Sequence, residues 1–265
     1  MIHVTGAPLV LLGSALAITC MMLLVWLISL KMRDASIVDI AWGSGFVVVA
    51  WVSFWLSEGE PTRSLLLALL TTIWGLRLAF YLAKRNLGHG EDFRYQSMRR
   101  KHGKKFAIVS LYSVFGVQGL LMWIVSLPVQ LGQVQETPSF AVIGMVGVLV
   151  WGAGMFFEAV GDAQLAKFKR DPANKGLVMN RGLWRYTRHP NYFGDSCVWA
   201  GLGLIAAESR LGVFGLVGPV VMTILLVKVS GAALLDCAML KRKPGYETYV
   251  ASTSGFIPRP PRRTE

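Results

Sequence analysis

Long apolar stretches dominate this chain, and polar residues separate them only in short segments. A helix needs about 20 apolar residues to cross the roughly 30 Å hydrocarbon core of a bilayer. The sixth stretch, 193–207, is short. It would cross the membrane only by including residues 189–192 or by being partly sheltered in protein. The pattern predicts an all-α integral membrane protein with seven transmembrane helices, at 8–30, 37–56, 65–83, 106–130, 140–160, 193–207 and 211–235.

Basic residues are distributed unevenly between the segments that separate these helices. They concentrate in 84–105, 161–192 and the tail from residue 241, whereas the opposite segments carry only Arg63 and Arg210 beside several glutamates. Cytoplasmic loops are enriched in Lys and Arg. We therefore expect the N-terminus outside and the C-terminus in the cytoplasm. The net charge of +12 then reflects topology, so a nucleic-acid partner is not expected, while the Arg-rich tail suits anionic membrane lipids.

Composition agrees with a membrane protein and gives no sign of a separate soluble domain. Hydrophobic residues make up 54% of the chain and charged residues 16%, against about 25% charged in soluble domains. The first thirty residues contain no Lys or Arg, which favours a retained helix over a signal peptide. We expect one membrane domain, residues 1–265. Three cysteines without paired spacing predict neither a disulfide framework nor a metal site: Cys20, Cys197 and Cys237.

Ionisable residues inside the predicted spans are candidates for function, because a charge at the bilayer centre costs several kcal/mol. Asp39 lies a few residues inside the second span. Its carboxyl group could stay protonated and donate a proton to a carbonyl oxygen, or it could form an ion pair with Arg77. The sequence leaves both interpretations open.

The third span carries a row of residues on one helical face. Trp74, Arg77 and Tyr81 follow each other at i, i+3 and i+7, and Arg85 continues the row toward the predicted cytoplasmic end. The two aromatic residues could instead belong to an interfacial belt. The basic segment that follows, GHGEDFRYQSMRRKHGKK, either clamps phosphates or only sets topology.

Two polar stripes occur around the sixth span. Glu158, Asp162, Leu165 and Lys169 recur at helical spacing where the fifth span runs into the predicted cytoplasmic segment. Carboxylates there can accept hydrogen bonds from ribose hydroxyls, while Lys169 and Lys175 suit phosphate oxygens. A solvated amphipathic helix is the alternative.

The second stripe follows a proline that suits the first turn of a helix. Free N–H groups at such a helix start favour an anionic ligand, although a capped helix with interfacial arginines would also explain the basic residues. No nucleotide-binding fingerprint of the Rossmann or P-loop type occurs, so side chains would have to hold a nucleotide. From Pro190, one helical face carries Arg188, Asn191, Tyr192 and Asp195.

The stretch NRGLWRYTRHPNYFGD, residues 180–195, resembles the C-terminal signature of the steroid 5α-reductase family, in particular its bacterial members. It also resembles Δ14-sterol reductases and, more loosely, isoprenylcysteine carboxyl methyltransferases. The resemblance is strong over 158–195 and weaker in DCAMLKRKPGYETYVASTSGFIP, GEDFRY and VQGLLMWIVSLPV.

This resemblance implies a seven-helix reductase of the bacterial inner membrane, with NADPH in a cavity open to the cytoplasm. It would reduce a carbon–carbon double bond conjugated to a ketone in a lipid such as a 3-oxo-Δ4-steroid. Residues 1–130 would form the substrate side and 131–265 the cofactor side. The positions that the resemblance assigns to the cofactor are Arg77, Tyr81, Asp162, Leu165, Lys169, Asn191, Tyr192 and Asp195, and more loosely Asp236 and Tyr249. Five neighbouring polar residues complete the predicted cofactor set: Arg85, Asn174, Lys175, Arg188 and His189.

The substrate end departs from the family's pattern. Eukaryotic members carry a Gln-Glu pair in the second helix and a Tyr in the third, and the corresponding places here are closest to Asp39 and Trp74. We expect Asp39, together with Tyr81, to stabilise the enolate oxygen that develops when hydride reaches the β-carbon of the enone.

Two other functions remain open at this stage. An S-adenosylmethionine-dependent methyltransferase acting on a lipid thiol or carboxylate would need little phosphate binding, so the many Lys and Arg residues between 174 and 195 favour NADPH. A non-catalytic lipid-binding membrane protein would bind neither cofactor.

Overall fold

The computed structural model describes residues 6–135, 142–229 and 231–262, and its regular elements there are helices. Pro8 and Pro61 stand in the first turns of α1 and α3, where a missing N–H costs nothing. The helices are α1 (Ala7–Met32), α2 (Ile37–Leu56), α3 (Pro61–Asn86), α4 (Phe93–Val125), α5 (Leu127–Leu131), α6 (Val142–Arg170), α7 (Pro190–Ala206), α8 (Val217–Ile224), α9 (Ala232–Arg242) and α10 (Tyr246–Ser252).

Six helical segments within the described ranges are long and apolar enough to cross a membrane. They are α1, α2, α3, α4, α6 and the segment Gly212–Arg242, which contains α8 and α9. The protein is therefore a multi-pass membrane protein, as the hydropathy pattern predicts. The remaining predicted span, 193–207, forms most of α7, whose 17 residues rise only about 26 Å.

The fourth span is longer than its apolar stretch suggests. The sequence predicts it at 106–130, but α4 already begins at Phe93. Asp92 caps its start by accepting a hydrogen bond from the Arg94 N–H at 2.9 Å. Most of the basic segment GHGEDFRYQSMRRKHGKK is therefore helical. A 3-10 turn at Gly103–Lys105 and a π-helical segment at Leu111–Gly116 interrupt the α-helical pattern.

The residues divide into two compact units. The first comprises Met1–Met145 with Leu202–Gly218, and the second comprises Val146–Gly201 with Pro219–Glu265. In the first unit, α2 packs between α1 and α3. Gly43 and Gly75 bring α2 and α3 into backbone contact, because a Cβ atom on Gly75 would lie 2.5 Å from the carbonyl oxygen of Gly43.

Two buried polar side chains in the core of the first unit, Gln130 and Arg63, form hydrogen bonds that tie its segments together. Gln130 accepts a hydrogen bond from the Ser14 hydroxyl at 2.7 Å and donates one to Ser126 at 2.7 Å. Arg63 is fully buried, and its Nε–H donates to the Gly132 carbonyl just after α5, at 2.7 Å. A cation at the carbonyl end of a helix is stabilised by the helix dipole, so Arg63 ties the start of α3 to the end of α5.

Candidate functional site

A seam of glycines packs α6 against α7 in the second unit. A Cβ atom on Gly154 would lie 2.6 Å from the carbonyl oxygen of Gly194, and one on Gly201 would lie 2.6 Å from the backbone nitrogen of Trp151. Further along, Gly161 faces Asn191. Only glycine permits backbones to approach this closely. The seam therefore fixes which residues of the two helices lie side by side.

The seam places the two predicted polar stripes beside each other. Glu158, Asp162 and Asp195 are 3%, 4% and 8% exposed and form what we call the carboxylate cluster. Gly194 abuts Glu158, since a Cβ atom on this glycine would lie 2.9 Å from the Glu158 Cβ. Burial of ionisable groups is costly, so three buried carboxyl groups on these two helices mark a polar site.

A hydrogen bond joins the two helices within this site. The Asn191 side-chain N–H donates to Asp162 Oδ1 at 3.1 Å, while the Asn191 Oδ1 accepts from the Tyr192 backbone N–H at 3.1 Å. The Asn191 side-chain amide is therefore held by hydrogen bonds at both its nitrogen and its oxygen. Leu165 and Lys169 follow Asp162 on α6, Leu165 half-buried and Lys169 exposed.

A basic cleft lies where α6 ends. Its volume is about 290 Å³. Asn174 is held there by a hydrogen bond from its side-chain nitrogen to the Phe168 carbonyl at 3.1 Å. We call this cleft the lysine cleft. The cationic residues that line it are Lys169, Arg170, Lys175 and Lys243.

The residues around Asp236 form a different kind of structure, which we call the C-terminal latch: Arg188, His189, Asp236 and Tyr246. Asp236 Oδ2 accepts from Arg188 Nη2 at 2.8 Å. Asp236 Oδ1 accepts from the Tyr246 hydroxyl at 2.5 Å and contacts His189 Nε2 at 3.0 Å. The His189 ring stacks on Tyr192 at a centroid distance of 5.5 Å. The latch therefore contacts Tyr192, a predicted cofactor residue, directly.

The same stretch also holds the C-terminal segment by backbone contacts. Arg188 Nη1 donates to the Thr253 carbonyl at 2.6 Å, and the Thr187 hydroxyl donates to the Phe256 carbonyl at 2.8 Å. The Tyr249 hydroxyl donates to the Trp184 carbonyl. Burial raises the pKa of both Tyr246 and Tyr249, and for Tyr246 the hydrogen bond to Asp236 adds to this. Both phenols are therefore held as hydrogen-bond donors.

The first unit contains the predicted third-helix residues. On α3, Tyr81 lies between two guanidinium groups, with Arg77 Cζ 5.6 Å and Arg85 Cζ 5.7 Å from its ring centroid. These distances lie within the roughly 6 Å range of cation–π contacts. Three residues of the predicted face, Arg77, Tyr81 and Arg85, therefore contact one another.

Asp39 has two partners on α4, in the same unit. Its Oδ2 accepts from Arg94 Nη2 at 2.9 Å, and its Oδ1 accepts from the Tyr95 hydroxyl at 2.8 Å. The Tyr95 hydroxyl accepts in turn from Gln118 Nε2 at 3.1 Å. Arg94 is thus a cation that pairs with Asp39. Tyr95 is 6% exposed, and its hydroxyl lies in a continuous chain from amide to carboxylate.

A second carboxylate holds the start of α4 to the α1–α2 connection. Glu91 accepts from Arg99 at 2.7 and 2.9 Å and from the Ala35 N–H at 2.9 Å. Burial opposes ionisation of Glu91, but the hydrogen bonds from Arg99 and Ala35 outweigh it and hold the pKa of this carboxyl below its usual range.

The predicted site residues fall into both units. Asp39, Arg77, Tyr81 and Arg85 lie in the first unit. The second unit brings together Asp162 and Asn191, stacks Tyr192 on the latch, and contains the remaining predicted cofactor residues. Sequence reasoning missed Arg94, Tyr95 and Gln118. Asp92 is of a residue type that commonly caps a helix start, and this signal could have placed Arg94 and Tyr95 on a helix.

The fold and the site define a multi-pass α-helical membrane protein with a buried polar site between two closely packed helices. The chain belongs to the family described as "Protein of unknown function (DUF1295)", whose profile matches residues 25–253. It is also similar to an uncharacterized protein, C594.04c, of Schizosaccharomyces pombe, with 23% identity over 269 residues that cover 88% of this chain and 75% of the yeast protein. No solved structure matches the chain.

Proposed function

We propose that this membrane protein is an NADPH-dependent reductase of a carbon–carbon double bond conjugated to a ketone in a lipid, related to the steroid 5α-reductases. The observation that carries the proposal is the Asn191–Asp162 hydrogen bond inside the carboxylate cluster. It joins the two stretches whose sequences resemble cofactor-contacting positions of that family. Polar groups this deeply buried in a membrane protein are expensive and point to a polar ligand.

The chemistry of the second unit suits NADPH. Carboxylates such as Asp162 and Asp195 can accept hydrogen bonds from ribose hydroxyls. The lysine cleft offers four cations for phosphate oxygens. Leu165, Asn174, Asn191 and Tyr192 complete the set that we assign to direct contact.

The contacts of the latch and of Tyr249 support a positioning role for four further predicted residues: Arg188, His189, Asp236 and Tyr249. The side-chain polar atoms of Arg188, His189 and Asp236 are engaged with one another or with the C-terminal segment, and the Tyr249 hydroxyl is bonded to the Trp184 carbonyl. We propose that they orient Tyr192 and the start of α7 for the cofactor.

When bound, NADPH supplies a hydride for the β-carbon of the enone. The chain itself must then hold a proton for the α-carbon and stabilise the negative charge that develops on the ketone oxygen. We assign these roles to the first unit. The Tyr95 hydroxyl donates to Asp39 and accepts from Gln118, and we propose that with substrate bound its O–H turns from Asp39 to the ketone oxygen while Gln118 holds the phenol oxygen. Tyr81, held between Arg77 and Arg85, remains a second candidate for the same oxygen.

The proposed orientation follows the distribution of charge. With seven spans and the N-terminus outside, the lysine cleft faces the cytoplasm, where NADPH is available. The membrane would be the inner membrane of a bacterium, and the substrate would reach the site from the lipid phase.

The proposal is tested with purified protein in detergent supplemented with lipid. Calorimetry should show NADPH binding, and a panel of enones beginning with testosterone and progesterone should include one that causes loss of reduced-nicotinamide absorbance. Binding of S-adenosylmethionine but not of NADPH would favour a methyltransferase function over the reductase function. Binding of neither would favour a non-catalytic lipid-binding protein.

A further inference from the structure

An apolar groove of about 530 Å³ lies between α1 and α4 in the first unit. This volume falls within the roughly 300–1,000 Å³ typical of small-molecule sites. Two of its lining side chains, Tyr112 and Leu120, are 60% and 59% exposed, so the groove is open along its side. Other lining residues include Ile18, Thr19, Met22 and Phe115.

The shape of the groove follows from the helix geometry. Its α4 side contains the π-helical segment Leu111–Gly116, and π-helical turns are often found at functional sites. Gly119 leaves space against α1, since a Cβ atom there would lie 3.3 Å from Ile18. From Leu111 to Trp123 the groove rises about 18 Å, close to the roughly 15 Å of one hydrocarbon leaflet.

One end of the groove is strongly basic. The Trp26 indole N–H donates to the Ala107 carbonyl at 3.0 Å, which fixes α1 beside the start of the apolar part of α4. Beyond this contact, α1 ends with the exposed Lys31, and α4 carries the exposed Lys104. Lys31 follows Trp26 by five residues and Lys104 precedes Ala107 by three, so both lysines lie at this end of the groove.

The groove is apolar and its end is basic, and together these two features indicate which kind of ligand it binds. Lys104 lies seven residues before Leu111, about 10 Å along the helix. An anion at Lys31 and Lys104 and an apolar chain in the groove can therefore belong to one molecule. We propose that the groove binds an anionic phospholipid of the surrounding membrane, with its phosphate at these two lysines and one acyl chain between α1 and α4. This site is independent of the proposed reductase chemistry.

Native mass spectrometry of delipidated protein in detergent tests the proposal, using phosphatidylglycerol and phosphatidylcholine with identical acyl chains. We expect preferential binding of phosphatidylglycerol. Each basic residue near a membrane surface contributes about fivefold to binding of anionic lipid, so the double variant Lys31→Gln with Lys104→Gln should lose about 25-fold in phosphatidylglycerol affinity and most of the preference. The matched control removes two exposed lysines elsewhere, Lys167→Gln with Lys241→Gln.

A second variant tests the apolar part. Thr19 lines the groove and is exposed, so Thr19→Trp should fill the space and reduce binding of both lipids. Leu149→Trp, at a position that is 72% exposed on α6, is its control. Equal binding of the two lipids to the unmodified protein, equal effects of the two double variants, or undiminished binding by Thr19→Trp would each overturn the proposal.

Discussion

Asn191 on α7 donates a hydrogen bond to Asp162 on α6, at 3.1 Å and in surroundings where Asp162 is 4% exposed. The two residues are 29 positions apart in sequence and belong to two different polar stripes. Their contact unites the stripes into one site. If that site holds the ribose part of a dinucleotide, the Asp162 carboxylate is the group whose charge matters most.

Replacement of Asp162 by Asn should weaken NADPH binding by about 10-fold or more. Hydrogen bonds to charged groups contribute roughly 1.5–3 kcal/mol, and the amide keeps the shape but not the charge. Calorimetry measures the affinity. Glu247→Gln, which removes an exposed carboxylate from α10, should bind NADPH as the unmodified protein does. Unchanged affinity in Asp162→Asn would remove this residue from the cofactor site.

Asp39→Asn and Tyr95→Phe should suppress turnover while leaving NADPH affinity intact. Loss of a donor to a developing oxyanion typically costs about 10²–10³ in rate. Tyr95 supplies the proposed donor, and its O–H is held by Asp39 at 2.8 Å until it turns to the substrate oxygen. Enone reduction by each variant is compared with that of Tyr112→Phe, which removes an exposed hydroxyl from the same helix. Parallel losses of turnover and NADPH affinity would assign the pair to structure instead.

Asp236→Asn should loosen the C-terminal segment. The carboxylate holds Arg188, His189 and Tyr246 together, and removal of its charge leaves Arg188 with a weaker acceptor. We expect a loss of about 2 kcal/mol in unfolding free energy and faster tryptic cleavage after Arg262, whose backbone N–H donates to the Ser252 carbonyl. Glu247→Gln, at an exposed position on α10, serves as the control. Unchanged proteolysis of the Asp236 variant would show that the backbone contacts alone hold the segment.

The Glu91–Arg99 pair should make stability depend on pH in the acid range. The pKa of Glu91 lies below its usual value of 4.5 in the folded protein. The stabilisation is therefore present above about pH 4.5 and is lost as the pH falls through the folded-state pKa. Thermal unfolding at pH 7 should show Glu91→Gln less stable than the unmodified protein, and the difference should shrink at lower pH.

The control for this pH dependence is Glu58→Gln, because Glu58 is exposed. Its stability difference from the unmodified protein should stay small at both pH values. If the deficit of Glu91→Gln were the same at low pH as at pH 7, loss of the ionised pair would not be its cause.

The helices could be predicted from sequence because their signal is local. The apolar stretch 37–56 is reproduced as Ile37–Leu56, and the Trp74–Arg77–Tyr81 row lies on one helix. The start of α4 could not be located by hydropathy, because its first turns are polar. Its capping residue Asp92 carried the signal instead.

The candidate site was only partly accessible to sequence reasoning for a different reason. Helical spacing places Glu158 and Asp162 on one face, but it does not say which helix packs against that face. The partner of Asp39 shows the same limit. Arg94 is 55 residues away in sequence. The charge pattern within one helix does not show which distant arginine, such as Arg94 or Arg77, will lie beside Asp39. Only the packing of α2 against α4 makes that choice.

The glycine seam offers a matched pair of substitutions two residues apart on α6. A Cβ atom on Gly154 would lie 2.6 Å from the Gly194 carbonyl oxygen and 2.6 Å from the Val198 nitrogen, whereas one on Gly152 would meet no atom within 4 Å. Gly154→Ala must therefore push the helices apart, and overpacking typically costs about 1–3 kcal/mol. Gly152→Ala should be neutral or stabilising by up to about 1 kcal/mol, because alanine is the better helix former.

Thermal unfolding in detergent measures both effects, and NADPH calorimetry measures their consequence for the site. Because the seam sets the distance between Asp162 and Asn191, Gly154→Ala should weaken NADPH binding as well as stability, while Gly152→Ala should leave both intact. If Gly154→Ala lost stability but retained full NADPH affinity, the cofactor would not depend on the register of α6 and α7, and the carboxylate cluster would have to be assigned to folding alone.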